Sequence, residues 1–353
     1  ELAKTGHTNL AELLEQSSMT FLKSYGQGSL ATVSVRGTSS EQTAVWWNGF
    51  NLQNPMNGTF DFALMPAFFV DKAKMLTGAD ASFKGRAAIG GNLELSSRDY
   101  SPNIFSAEAG LHIGSFGLRE FQLGLEGSNE KSKTTLRFFN QSAKNDFDYT
   151  NTSKPGSPQE TMPHASTSAT VLLAEHIHTT KHAGRFNLNY WVQNNTREIP
   201  PLMVSTTSEA VQDDVAHRLV AGWKMTKRHW TWRAQTAYFN EFIHYQDPRS
   251  DIDARNRSHS LLSQLSLKWT INHRQHLAFG INQSATTALV DNYGSEKPWQ
   301  HRQALFGRYS IISKYGHFEG LLSLKQEIAD GELAPFSPVS YTHLRAHETR
   351  RSL

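Results

Sequence analysis

The chain has no cysteine, which excludes a disulfide scaffold, thiol catalysis and cysteine-based zinc sites. Long apolar runs are also missing. The longest, residues 62–70, has nine residues and is broken by Pro66, whereas a membrane-spanning helix needs about 20 apolar residues. No apolar core follows Glu1, Leu2, Ala3, Lys4 and Thr5, so no signal peptide opens the sequence, which reads as a mature chain or one whose start is missing. Nor does one sign of charge dominate. Lys plus Arg number 35 and Asp plus Glu 32, a formal charge of +3 without a basic block, and this gives nucleic acid no footprint. Hydrophobic residues reach 38% and mean hydropathy is −0.51, too polar for a bundle of membrane helices. A transmembrane β-barrel stays open, because its strands need only alternate over about 10 residues. Chemical motifs are absent as well: there is no Gly-x-Ser-x-Gly, no phosphate loop and no HExxH, and Gly26-x-Gly28 alone is too weak to mark a nucleotide. The sequence reads as a non-enzyme with no catalytic residues, no cofactor and no metal centre.

What is present divides into two grammars. Residues 1–97 suggest a small mixed α/β unit with glycine-rich loops. Asn9 is placed to cap a short helix with Leu10, Leu13 and Leu14 on one face. Residues 21–25, 32–36, 43–48 and 71–76 look extended, Asn48-Gly49 is a strong turn signal, and Pro66 argues against a long helix over residues 62–69. Residues 79–84 suggest one helical turn, and residues 88–95 close the unit.

Residues 98–338 alternate with a period of two. Phe186, Leu188, Tyr190 and Val192 oppose Arg185, Asn187, Asn189 and Gln193. Leu219, Ala221, Trp223 and Met225 oppose Arg218, Gly222 and Lys224. Leu261, Leu265, Leu267, Trp269 and Ile271 oppose Gln264, Ser266, Lys268 and Thr270. These are half-buried antiparallel strands, about eleven in all, from near Phe105 to near Glu327. Tight turns at residues 181–184, 226–229, 272–275 and 313–316 alternate with polar loops at residues 142–167, 196–214, 243–258 and 286–299. Short and long connections in alternation fit an outer-membrane barrel with short periplasmic turns, with residues 114–117 as a short exception on the outer side. A soluble sandwich with one wet face has the same period. Trp223, Trp230, Trp232 and Trp269 all lie near short turns, where an interfacial aromatic girdle belongs and a sandwich core does not.

Residues 339–353 include Ser-Tyr-Thr-His-Leu-Arg-Ala-His-Glu-Thr, which resembles the conceptual translation of a sequencing adapter. The segment is set aside, together with His343 and His347, whose spacing mimics a metal pair. Three arginines and one glutamate go with it, taking the formal charge from +3 to +1.

The first unit resembles the plug domain of TonB-dependent outer-membrane receptors. The residues that carry the likeness are Val35-Arg36-Gly37-Thr38, Ala44-Val45-Trp46-Trp47-Asn48-Gly49, Asn54-Pro55-Met56, Asp61-Phe62, Pro66 through Leu76, and the closing series Gly78-Ala79-Asp80-Ala81-Ser82, Gly85 and Ala88-Ile89-Gly90-Gly91. They span about residues 8–97 in the family's order. The wording is closest to the vitamin-B12-receptor-like branch in its Bacteroidetes form, to which Arg197-Glu198-Ile199-Pro200-Pro201 and Pro335-Phe336-Ser337-Pro338 add weaker barrel phrases. Asn48 and Lys84 depart from the family's usual Asp and Tyr. No TonB box precedes the plug, and the family's barrel has about 22 strands, so the sequence looks truncated at both ends.

The resemblance implies a plug domain (residues 1–97), the first half of a transmembrane barrel (98–338) and an artefactual tail (339–353), in the outer membrane of a Gram-negative bacterium. It implies outer-membrane lipid, a small-molecule nutrient and the inner-membrane TonB complex, reached through the missing N-terminus, as partners. The nutrient would be large and scarce, a corrinoid first and an iron chelate next, with a glycan as another import cargo. Two plug loops would face outward, bringing Tyr25, Gln27 and Ser29 from the first and Asn51, Gln53, Asn54 and Asn57 from the second to the ligand. Amides donate and accept, so they suit a large polar ligand, and Tyr25 suits a flat ring; the same residues also simply make turns. Arg36, Gly37, Gly49, Gly85, Gly90 and Gly91 would serve plug packing and movement. An unclosed half barrel exposes unpaired backbone to lipid, so these residues alone are expected to lack transport activity. The alternative is a secreted or surface β-rich binding or adhesion protein without transport, soluble without detergent. His176, His178 and His182 suit a metal or haem only weakly, as do Asp213-Asp214 and Asp251-x-Asp253 for calcium.

Overall fold

The computed structural model describes residues 9–15, 20–24, 30–35, 37–76, 91–97, 102–205, 207–291, 294, 297–313 and 318–344. Its N-terminal unit begins with α1 (Leu10–Glu15). Asn9 Oδ1 accepts the Glu12 amide at 3.0 Å, satisfying a donor that the helix itself leaves open. Leu10 and Leu14 are buried, as their spacing predicts. The expected helical turn at residues 79–84 lies outside the described residues.

β1 (Thr20–Ser24) and β2 (Ala31–Val35) pair antiparallel. β3 (Thr43–Trp47) and β4 (Phe50–Asn51) form a hairpin, while β5 (Lys72–Leu76) and β6 (Gly91–Ser96) complete a four-stranded sheet in the order β4-β3-β6-β5. β3 runs parallel to β6 and every residue in it is buried, which explains its unbroken Thr-Ala-Val-Trp-Trp sequence. Asn48 and Gly49 join β3 to β4 with φ of 49° and 95°, the two positive values that a two-residue hairpin turn requires. On either side of Pro66 lie two 3₁₀ turns, Phe62–Leu64 and Ala67–Phe69, in place of a longer helix.

Around this unit curves a 13-stranded antiparallel sheet. Its strands are β7 (Phe105–Ile113), β8 (Arg119–Ser128), β9 (Ser132–Ala143), β12 (Thr167–Thr180), β13 (Gly184–Glu198), β14 (Val211–Lys227), β15 (Trp230–Asp247), β16 (Ile252–Asn272), β17 (Gln275–Leu289), β18 (Trp299–Ile312), β19 (Phe318–Ala329), β20 (Glu332–Leu333) and β21 (Ser337–Leu344). A small hairpin, β10 (Asp148–Thr150) with β11 (Gln159–Thr161), stands in the connection between β9 and β12. Each long strand pairs with its sequence neighbour, giving a simple meander. The sheet is open, with β7 along one edge.

Eleven long strands run from Phe105 to Ala329, matching the count from alternation. β20 and β21 then lie together on the free side of β19, so residues 332–344 act as one further interrupted strand. An open sheet edge accepts any extended chain, and the pairing is neutral on the origin of residues 339–353. The expected loop at residues 243–258 is corrected. β15 and β16 continue through it in register to Asp247 opposite Ile252, leaving only a 3₁₀ turn, Pro248–Ser250. There the strands rise above the apolar zone, both faces are wet, and hydrophobic periodicity ends although the backbone ladder does not.

The sheet is apolar outside and polar within. Phe186 and Leu188 are exposed on the outer face while Asn189, Gln193 and Arg197 are buried on the inner one. Lipid cannot satisfy such polar groups, so they must face the interior. At the short-turn end Trp230 stacks on Trp269, with ring centroids 5.4 Å apart. Further along, Tyr190 stacks on His217 and Tyr238 on His259. From Trp269 to His259 is ten residues of β16, about 33 Å at ~3.3 Å per residue and about 25 Å in height at a ~40° tilt. That is the height of the apolar band of an outer-membrane barrel, about 25 Å.

Candidate functional site

The plug unit and the sheet share one core. Val45, Trp47, Phe50, Leu93 and Phe68 cluster with the inward residues Phe139, Val171, Leu173, Trp191, Val220 and Phe239 of the wall. Trp47 meets Trp191 edge to face at 5.4 Å. The Arg218 guanidinium lies 4.5 Å over the Trp191 ring and donates to Glu241 Oε1 at 2.6 Å and to Gln193 Oε1 at 3.1 Å. This large apolar patch inside a polar lumen exists because the plug covers it.

Among the described residues two buried ion pairs pin the plug to the wall. Arg137, an inward residue of β9, donates to both oxygens of Asp71 at 2.7 Å and to the Phe68 carbonyl at 3.3 Å. Arg197 on β13 donates to Asp61 Oδ2 at 2.8 Å. The other Asp61 oxygen accepts the amides of Ala31 and Ala63, both at 3.0 Å, so one carboxylate joins β2, a 3₁₀ turn and the wall. Gln264 donates to the Gly49 carbonyl at 2.9 Å and Gln235 to that of Asn48 at 3.4 Å. Of these partners Gly49 is the one that the sequence marks as a site residue, as a glycine of plug packing and movement. The available signal is a lone arginine at an inward strand position, such as Arg137 between Thr135 and Phe139 on one face.

At the long-loop end, the plug loop of residues 51–59 faces β13, β14 and β15. Asn54 and Asn57 line a cavity there with Arg197, Gln193, Gln212 and Asp214. Its volume is about 80 Å³, too small to enclose a ligand needing several hundred Å³ (about 300–1,000 Å³ is usual); a large solute would meet its rim. Asn51 lines a separate cleft against β16, β17 and β18, so the four expected amides do not converge. They also hold the loop's own turns. Asn51 Oδ1 accepts the Gln53 amide, Asn54 Oδ1 that of Met56 and Asn57 Oδ1 that of Thr59. Gln53 Nε2 donates to the carbonyls of Glu41 and Gly58. Tyr25, Gln27, Ser29, Arg36, Gly85 and Gly90 lie outside the described residues. Gly37 follows β2 with φ of 77° and Gly91 opens β6.

The loops above the mouth are tied together. Glu160 accepts from Asn151 at 2.8 Å, Lys154 at 2.6 Å and Tyr149 at 3.1 Å, and Asn151 also donates to the Met203 carbonyl at 2.8 Å. The Asn151 amide, then the Lys154 ammonium, hold the Glu160 carboxyl below its ordinary range. Among the described residues no group of three acidic or histidine side chains is arranged to hold a metal. Asp213 and Asp214 are successive residues of β14 and point to opposite faces, and Asp253 pairs with His244 and Arg255. His176 and His178 bond to Thr134 and Ser132.

A small mixed unit seated inside a curved antiparallel wall, apolar outside and polar within, with short turns at one end and longer loops at the other, defines a plug-and-barrel fold. Residues 1–92 match the family model described as the TonB-dependent receptor plug domain. That match makes the first unit similar to a TonB-dependent receptor plug domain, and part of the chain is similar in sequence to vitamin B12 transporters. It is 31% identical over 144 residues to the vitamin B12 transporter BtuB of Vibrio cholerae, covering 36% of this chain and 23% of that protein. The FrpB iron transporter from Neisseria meningitidis superposes with a TM-score of 0.77 at 12% identity, covering 98% of this chain and 61% of that one. FpvA of P. aeruginosa bound to heterologous pyoverdines gives 0.73 at 11%, covering 97% and 53%. The structural likeness at this identity is one of fold. The chain spans 61% or less of these solved relatives.

Proposed function

We propose that this chain forms the plug and adjoining wall of a receptor that takes up a large, scarce nutrient across the outer membrane with energy from TonB, a corrinoid before an iron chelate. The observation that carries the reading is the plug loop of residues 51–59, which presents Asn54 and Asn57 beside Arg197 and Asp214 at the long-loop end of the lumen. The sequence likeness to vitamin B12 transporters ranks the corrinoid first. In this reading Tyr25, Gln27, Ser29, Asn51 and Gln53 share the ligand surface, and the glycines at positions 37, 49, 85, 90 and 91, with Arg36, serve plug packing and movement. The division at residues 97 and 338 follows the end of β6 and the start of the set-aside tail. Titration of the detergent-solubilised chain with cyanocobalamin, followed by tryptophan fluorescence, tests it. Saturable binding that N54A and N57A weaken about tenfold, as the loss of one or two polar contacts does, is expected. Saturable binding of a ferric siderophore with none of cyanocobalamin would reverse the ranking of ligands, and binding of neither would remove the import reading for these residues.

A further inference from the structure

The lumen at the short-turn end carries a charge pattern that the ligand mouth does not explain. Arg185 of β13 lies directly opposite Lys224 of β14, which lies directly opposite Arg233 of β15. All three point inward, onto a cavity of about 500 Å³ between the wall and the plug sheet. Directly opposed residues in a sheet stand about 5 Å apart, and like charges there are unfavourable. Arg185, Arg233 and Lys268 all repel Lys224. Among the described residues none of these four forms an ion pair. Among the described residues the cavity is lined by two carboxylates: Glu175 accepts from Ser97, and Glu94 stands opposite Lys74 in the register of the plug sheet. Three cations therefore stand in a row on neighbouring paired strands, two of them with the planar fork that matches an oxyanion.

We propose that Arg185, Lys224 and Arg233 form an oxyanion-binding row at the periplasmic end of the lumen, which receives a phosphate or carboxylate group of a solute that has passed the plug. The passage rests on the uptake reading above; the binding of an oxyanion does not. The mouth and the row lie at opposite ends of the plug, so a solute with an anionic group would leave one polar surface and meet another of opposite charge to its own.

The test uses the 353-residue chain in a non-ionic detergent, with inorganic phosphate as probe. Thermal melting is compared in phosphate and in chloride at equal ionic strength, and phosphate binding is measured by titration calorimetry. The expected result is a higher melting temperature in phosphate for the wild type. K224Q and R233Q are expected to bind phosphate about tenfold more weakly each, the loss of one charge-assisted contact, while R255Q, outside the lumen, binds as the wild type does. Equal melting in the two salts, or equal loss in R255Q and K224Q, would overturn the proposal. A chain that binds phosphate at the row yet shows no affinity for cyanocobalamin or a ferric siderophore keeps the row and sinks the uptake reading instead.

Discussion

Replacing Arg137 with methionine is expected to loosen the plug from the wall out of proportion to the atoms removed. Arg137 and Asp71 are 7% and 8% exposed, and the guanidinium is the donor that both Asp71 oxygens share, at 2.7 Å each. Removing one partner of a buried pair costs about 3–5 kcal/mol, because the other charge stays dry and uncompensated. At about 1.4 kcal/mol per tenfold, that is roughly 150- to 4,000-fold in a local opening equilibrium. Replacing both groups, R137M with D71L, removes the carboxylate together with its donor and is expected to cost less than R137M alone. Amide hydrogen exchange over residues 67–76 of the detergent-solubilised chain reads the opening directly. Exchange in R137M within about tenfold of wild type, or as fast in the double variant as in R137M, would refute the reasoning, because the cost would then not come from the bonds that Arg137 makes to Asp71.

Three further outcomes follow from the same geometry. Trp191→Ala removes a side chain that is 1% exposed and supports both Trp47 and Arg218, so a loss of about 3–5 kcal/mol should appear as earlier urea release of the plug, measured by protease sensitivity. Gly49→Ala forces a side chain onto a φ of +95°, at about 1–2 kcal/mol; the nearest atoms belong to the flexible Gln235 side chain, so a lowered melting temperature should come without loss of the fold by circular dichroism. The hairpin of β10 and β11 should loosen in acid. Glu160 titrates below its ordinary value when folded, so its contribution is complete above the unfolded carboxylate value and is lost as pH falls through the lowered one. Proteolysis within residues 148–161 that is the same at pH 7 and pH 3 would contradict this.

Alternation exposed the wall because each strand sits between two unlike media. The period of two from Phe186 to Gln193, or from Leu261 to Ile271, is a record of lipid on one side and lumen on the other. The same logic hid the upper part of the β15–β16 hairpin, where His244, Gln246 and Asp253 have water on both sides and no period survives. The strand formed by residues 332–344 was missed although Asp330-Gly331, with φ of 52° and 89°, is a strong hairpin signal; the polar residues around it and the odd composition beyond residue 338 masked the pattern. The plug's cap, turns and parallel β3–β6 pairing were legible from local residue types. The ion pairs were not, because Arg137–Asp71 and Arg197–Asp61 span 66 and 136 residues and leave no local trace beyond an arginine in an inward position. For the amides of residues 51–57, residue type alone could not tell turn-making from ligand contact, since both use the same donors and acceptors.

The tall hairpin also changes what a solute meets on arrival. From the Asn240–His259 pair to the Asp247–Ile252 pair is seven further residues of unbroken ladder, about 23 Å of strand at ~3.3 Å per residue. Loops that close on a ligand must first surrender their freedom, at about 1–2 kcal/mol per residue fixed. This blade has surrendered its freedom already, in folding. Whatever surface it turns toward the mouth is offered without an ordering cost at the moment of capture, so exchange of its tip for a flexible segment of equal length would slow nothing in folding the wall below, yet would weaken any ligand that leans on it.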